Sequence, residues 1–193
     1  LGDVYKRQAL TDNPFREWIG AQIRADMWGY VTPGWPEKAA EMAFRDASIS
    51  HTKNGVYGAM FVAALLAASF ATSNIKAVID IALSEIPANC RLAQAVKDTM
   101  AWAEANDDWQ DTWALVNEKF GHYPDVHTIN NAALIVMGLV HGKGNFEQTI
   151  VTTVLGGWDA DCTGATAGSV IGLILGAKAL PEKWVGVFND QVH

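Results

Sequence analysis

Only two cysteines, Cys90 and Cys162, occur among 193 residues, far apart and without Cys-x-x-Cys spacing. That excludes a disulfide framework and a cysteine-built structural zinc site, and it suits a reducing compartment. Basic charge is also scarce. The 14 Lys and Arg residues stand against 21 Asp and Glu, a formal net charge of −7, so no basic face is available to displace the counterions of a nucleic acid. An anionic small molecule is not excluded, because a bound divalent cation reverses the local field that carboxylates create. No positively charged start followed by an apolar stretch marks a signal peptide, and the expected location is the cytoplasm. Bilayer-length apolar runs are missing too. The uncharged stretches 55–71 and 163–177 fall at or below the short end of the ~20 residues a span needs, and neither has aromatic belts or basic flanks. Both are expected as buried helices.

What is present is core material. Half the residues are hydrophobic and 18% are charged, which argues against disorder and supports one sizeable domain. No segment alternates with the two-residue period of a half-buried strand, whereas three- and four-residue spacing recurs throughout. Phe15, Trp18, Ile19, Ile23 and Met27 predict a helix from Asn13-Pro14 to about Tyr30. Pro36 is placed to open a second helix carrying Ala40, Ala43, Phe44 and Ala47. Further helices are predicted over 56–71, 75–86 (stopped by Pro87), 90–105, from a cap at Asp107-Asp108 to Phe120, 127–140, 146–155 and 161–179. Leu180-Pro181-Glu182 begins a last turn. The fold class read from this pattern is all-α.

Small residues repeat every fourth position in two of these helices: Gly164, Gly168, Gly172 and Gly176 in one, Gly55, Ala59, Ala63, Ala67 and Ala71 in the other. A glycine inside a helix costs roughly 1 kcal/mol relative to alanine, so a whole ridge of them calls for compensation. Unusually close approach of a neighbouring helix supplies it, and both ridges are expected to pack at short range.

The run Gly156-Gly157-Trp158-Asp159-Ala160-Asp161-Cys162-Thr163-Gly164 carries the chemistry. Two carboxylates one residue apart stand where a glycine turn enters a helix. Helix capping accounts for one of them, since Asp161 can satisfy orphan backbone N–H groups and suits the positive end of the helix dipole. Two acids beside a Gly-Gly hinge also suit a hard cation such as Mg²⁺ or Mn²⁺. The residues alone leave both readings open.

This run resembles the C-terminal signature of the ADP-ribosylglycohydrolase family (dinitrogenase reductase-activating glycohydrolase-like), in which Gly-Gly-Asp-x-Asp-Thr precedes a small-residue helix and a later Pro-x-x-Trp. Pro181-Glu182-Lys183-Trp184 is similar to that ending. Ser50-His51-Thr52 ahead of Gly55 and Gly58 resembles the family's Thr-His segment, and the stretch from His127 through Asn130-Asn131 to Phe146-Glu147 resembles the helix pair leading into its metal turn. The resemblance covers Trp28 to Trp184. It implies a compact multi-helix domain that holds two divalent cations, Mg²⁺ or Mn²⁺, and hydrolyses the glycosidic bond of ADP-ribose on a protein side chain or small acceptor. By position it implies Asp159, Asp161 and Thr163 as metal ligands. It places His51, Asn54 and Gly55 near the ribose or phosphates, with Trp158 stacking on base or sugar. The residues themselves equally allow His51 as a satisfied helix-start histidine and Trp158 as a packing tryptophan. Water would attack the anomeric carbon with a carboxylate handling the proton.

Two departures qualify this. Cys162 occupies the usual Thr position, with Thr163 next, and Trp158 is inserted between the glycine pair and the first Asp. The family's early Thr-Asp-Asp cluster has no counterpart here; Thr11-Asp12-Asn13 comes nearest. Asp3-Val4-Tyr5-Lys6-Arg7-Gln8 looks like a translated sequencing adaptor. Residues 1–8 are therefore expected to be non-native, and 9–193 the C-terminal part of a single N-terminally truncated domain, inactive alone because its general acid or base lies elsewhere. The alternatives are a hydrolase of another N-glycoside or nucleoside-like substrate, and a non-catalytic binding protein on the same fold.

Overall fold

A computed structural model describes residues 8–189, and within them the fold is all-α. Of the adaptor-like stretch, residues 1–7 lie outside the described residues. The helices are α1 (Gly20–Ile23), α2 (Asp26–Tyr30), α3 (Pro36–Ala47), α4 (Asn54–Ser69), α5 (Ile75–Ser84), α6 (Arg91–Ala105), α7 (Trp109–Phe120), α8 (Thr128–Gly142), α9 (Phe146–Leu155), α10 (Ala160–Leu175) and α11 (Glu182–Val185), with 3₁₀ turns at Ala177–Ala179 and Gly186–Phe188. No described helix is long and apolar enough to cross a membrane.

Two helices with little polar surface form the centre. Both are almost wholly buried, α4 through Phe61, Leu65 and Leu66 among others, and α8 through Ile129, Leu134, Ile135 and Met137. α1, α2, α3 and α5 surround α4, while α6, α7 and α9 surround α8. α10 packs against both centres as well as α9. Helix starts follow the capping signals: Pro36 opens α3, and the side chains of Asn74, Asp108 and Asn145 accept N–H groups at the starts of α5, α7 and α9.

Two stretches differ from the sequence expectation by more than a residue or two. The single helix predicted for 14–30 is broken into α1, α2 and a preceding irregular turn. Its backbone is claimed by a distant loop: Ile19 N–H donates to the Val126 carbonyl (2.8 Å), Thr128 N–H donates to the Glu17 carbonyl (3.1 Å), and Trp18 pairs with His127 as an antiparallel bridge. The helix predicted to reach residue 179 stops at Leu175, because Gly176 takes φ +74° and ends the helical path.

The glycine ridge of α10 faces α9. A Cβ on Gly164 would lie 2.8 Å from Val154 Cγ2, on Gly168 3.5 Å from Ile150 Cδ1, and on Gly172 3.9 Å from Phe146 Cε2. The expected short-range packing therefore holds at Gly164 and relaxes to ordinary contact further along. Trp184, from the Pro-x-x-Trp ending, sets its ring edge against Phe146, with centroids 5.8 Å apart. On α4 the small residues meet Gly29, whose Cβ would approach Leu66 Cβ at 2.5 Å and the Ala63 carbonyl at 2.9 Å.

Candidate metal centre at a glycine turn

α9 ends at Leu155, and the chain reverses through Gly156-Gly157-Trp158 into α10. Gly156 is pressed on the Leu134 side chain, and its carbonyl accepts the indole N–H of Trp113 (2.9 Å). Gly157 and Trp158 both lie in the left-handed region, at φ +83° and +53°. A bulky aromatic residue seldom stays there unless its surroundings hold it. Trp158 is half-buried and packs on the core. The next N–H, of Asp159, donates to Asn131 Oδ1 (3.1 Å). Asn131 is fully buried on α8, and its Nδ2 donates to the carbonyls of Asp125 (2.7 Å) and His127 (2.8 Å). The turn is thus fixed from beneath by α7 and α8.

Asp159 occupies the N-cap position of α10 but makes no side-chain capping bond. Its carboxylate is not consumed by the backbone, unlike the caps at Asn74, Asp108 and Asn145. Donor atoms of Asp159, Asp161 and Cys162 all lie within 4.8 Å of one another, from a half-buried, an exposed and a buried residue respectively. Burial, then hydrogen bonding to Asp159 and the charges of Asp159 and Asp161, push the Cys162 thiol up to about 12. The donor set is one that could hold a divalent cation: two carboxylates outside any capping bond at a helix start with a third donor beside them. Thr163 is fully buried, and its hydroxyl donates to the Ala160 carbonyl (3.4 Å).

The remaining sequence-selected residues form a second group. His51 lines a cleft of about 230 Å³ with Phe44, Thr52, Lys53, Val56 and Tyr57. Its Nδ1 is paired with Ser50 Oγ (2.8 Å), and burial, helped by the charge of Arg24, lowers its pKa. Asn54 is buried with both ends of its amide used: Nδ2 donates to Glu17 (2.7 Å), and Oδ1 accepts the Leu92 N–H (3.1 Å). Gly55 allows backbone contact, since a Cβ there would stand 2.5 Å from the Arg16 carbonyl and 3.0 Å from Glu17 Cα. Among the described residues no hydrogen bond joins this group to the acidic turn. Both groups instead brace the paired segments 16–19 and 124–128, one through Asn54 to Glu17 and the other through Asn131 to the His127 carbonyl.

The model of the ADP-ribosylglycohydrolase family matches residues 5–192. The chain belongs to the ADP-ribosylglycohydrolase family. No curated protein and no solved structure matches it. Family membership brings glycohydrolase chemistry to this fold.

Three features of this ADP-ribosylglycohydrolase-family chain escaped sequence reasoning. Asn131 and Trp113 reach the turn from 28 and 43 residues away; the signal for the first was an amide pair, Asn130-Asn131, inside an otherwise apolar helix. The third is a polar cluster joining α2 to α10. Ser169 Oγ donates to Asp26 Oδ2 (2.7 Å), and the Tyr30 hydroxyl donates to Ser169 Oγ (2.8 Å). Burial raises the Asp26 pKa against the lowering effect of the bonds from Ser169 and Tyr30, and Asp26 Oδ1 is buried without a hydrogen-bond partner.

Proposed function

We propose that this chain serves metal-dependent hydrolysis of the glycosidic bond of ADP-ribose carried by a protein side chain or a small acceptor, with Asp159 and Asp161 as ligands of Mg²⁺ or Mn²⁺ in a two-ion centre. The supporting observation is the convergence of Asp159, Asp161 and Cys162 at the start of α10, with Asp159 free of capping duty. When bound, a divalent cation supplies positive charge that orients ribose hydroxyls and offsets charge developing during hydrolysis.

The chain's own residues divide the remaining work. Asn131 and Trp113 hold the turn, so the two carboxylates are presented from rigid helices rather than from a free loop. His51 would offer its imidazole, whose pKa burial lowers, beside the substrate, and Asn54 with Gly55 would shape the wall behind it. Trp158, half-buried against the core, would stack on a base or sugar. Thr163 would join the ligands only by giving up its bond to the Ala160 carbonyl. In the reaction water adds at the anomeric carbon, the bond to the acceptor breaks, and the acceptor leaves with a proton.

Calorimetric titration of Mg²⁺ or Mn²⁺ into the Asp161→Ala variant tests the reading. Tight binding is expected to vanish while helical circular dichroism stays intact, because an acid in the first helical turn contributes only about 0.3–1 kcal/mol through the dipole. Normal cation binding with stability lowered by that amount would reject the metal assignment and leave Asp161 as a helix-start residue.

A further inference from the structure

We infer that His141 is an acid-sensitive latch on the glycine turn: its neutral imidazole ties down the first turns of α7, and protonation loosens that helix and with it the turn that Trp113 holds. Such a latch works in the same way whatever ligand the turn takes.

Among the described residues, α7 makes two side-chain hydrogen bonds to the rest of the molecule, and they leave from consecutive residues. The Thr112 hydroxyl is paired with His141 Nε2 on α8 (2.9 Å), and the Trp113 indole N–H donates to the Gly156 carbonyl in the turn (2.9 Å). Movement of Thr112 away from His141 therefore carries Trp113 with it. Little else anchors this helix. Its buried residues are Thr112, Val116 and Phe120, and the first of them is the histidine's own partner. An element with few buried contacts belongs to the low-stability end of a fold.

The ring itself sits where a positive charge is costly. His141 is 4% exposed, and the buried residues of the helices packed on α8, namely α4, α5, α6, α7, α9 and α10, are all uncharged. Burial, then the charge of Lys143 just past α8, lowers its pKa below the ordinary 6.5, against the attraction of Asp108 and Asp107 ahead of α7. An added proton is thus poorly compensated in the closed form and better solvated once α7 lifts and water reaches the ring. As pH falls through 6.5, the unfolded chain and the lifted form take the proton before the closed form does, so the closed form is lost on the acid side.

Nuclear magnetic resonance of the full chain, from about pH 8 down to about pH 5, reads both ends of the latch. The His141 imidazole signals report its protonation, and the Trp113 indole N–H, assigned through Trp113→Phe, reports the bond to the turn. The Trp113 signal should shift or broaden with the same midpoint as His141, below 6.5. Trp28 on α2 and Trp35 at the start of α3 should stay in place. In His141→Gln, a neutral side chain that can still pair with Thr112, the Trp113 signal should hold steady over the same range. Thr112→Val, which removes the tether at every pH, should displace it already at neutral pH. A Trp113 signal unmoved while His141 takes its proton overturns the latch. So does the same movement in His141→Gln, which keeps His51, His122 and His127, and so does a His141 that stays neutral until every indole moves together. Should the glutamine variant not fold, the two midpoints in the unaltered chain decide, and unequal midpoints reject the coupling.

Discussion

Helix α9 lies between two glycine-bearing helices, and its two flanks are packed by different rules. On one side Thr149 and Thr153 fit over Gly142 and Gly138 of α8. A Cβ on Gly142 would come within 2.8 Å of Thr149 Cα, and one on Gly138 within 2.9 Å of Thr153 Cβ and 3.1 Å of the Thr149 carbonyl. On the other side Phe146, Ile150 and Val154 cover the ridge of α10, and the separation widens from Gly164 through Gly168 to Gly172. The first contact admits no side chain at all. The second is tight only beside the acidic turn. Glycine spacing in a sequence thus reports an opportunity for close approach, and the residues opposite decide whether it is taken. Small polar threonines let α8 and α9 close, whereas a row of Val, Ile and Phe holds α10 off.

The largest test of this difference is Gly138→Ala. With backbone and a branched side chain already in place, the added methyl should overpack the contact and cost about 1–3 kcal/mol in denaturant unfolding; unchanged stability would mean that the α8–α9 contact is softer than its geometry. Gly168→Ala should act in the opposite direction. Ordinary contact with Ile150 leaves room for a methyl, and replacing a mid-helix glycine should raise stability by up to ~1 kcal/mol. A loss there would show that the open flank is as closed as the other.

The smallest effect concerns what holds α10 where its ridge is loose, namely Ser169 bound to Asp26 of α2. Burial raises the Asp26 pKa above its ordinary value of 3.8. The folded state therefore holds this proton more tightly than the unfolded chain does. Asp26 contributes stability that is fully present below the unfolded pKa and is lost as pH rises through the folded one. Asp26→Asn should remove that component, so the variant's unfolding free energy should fall less than the wild type's as pH increases from about 4 towards neutrality. Parallel pH profiles would show that Asp26 is solvated well enough to ionise freely.

The all-α class was legible from the sequence because helical periodicity is a local property: α9 begins and ends where Phe146 and Leu155 suggest, and Pro36 and Asp108 act through their own backbone or capping chemistry. The acidic turn was legible for the same reason, since two carboxylates beside two glycines are neighbours in the chain. Tertiary structure decided the rest. Residues 14–30 carry a helical pattern, yet pairing with 126–128 diverts their backbone, and no local signal encodes that partner. Asn54 has the composition of a ligand contact, but Glu17 and the Leu92 N–H claim both ends of its amide. Whether Asp159 caps a helix or keeps its carboxylate free depends on Asn131 and Trp113, which fix the turn from distant helices. A residue's chemistry is written in the chain, but which of its hydrogen-bonding groups remain free is set by partners that only folding brings near.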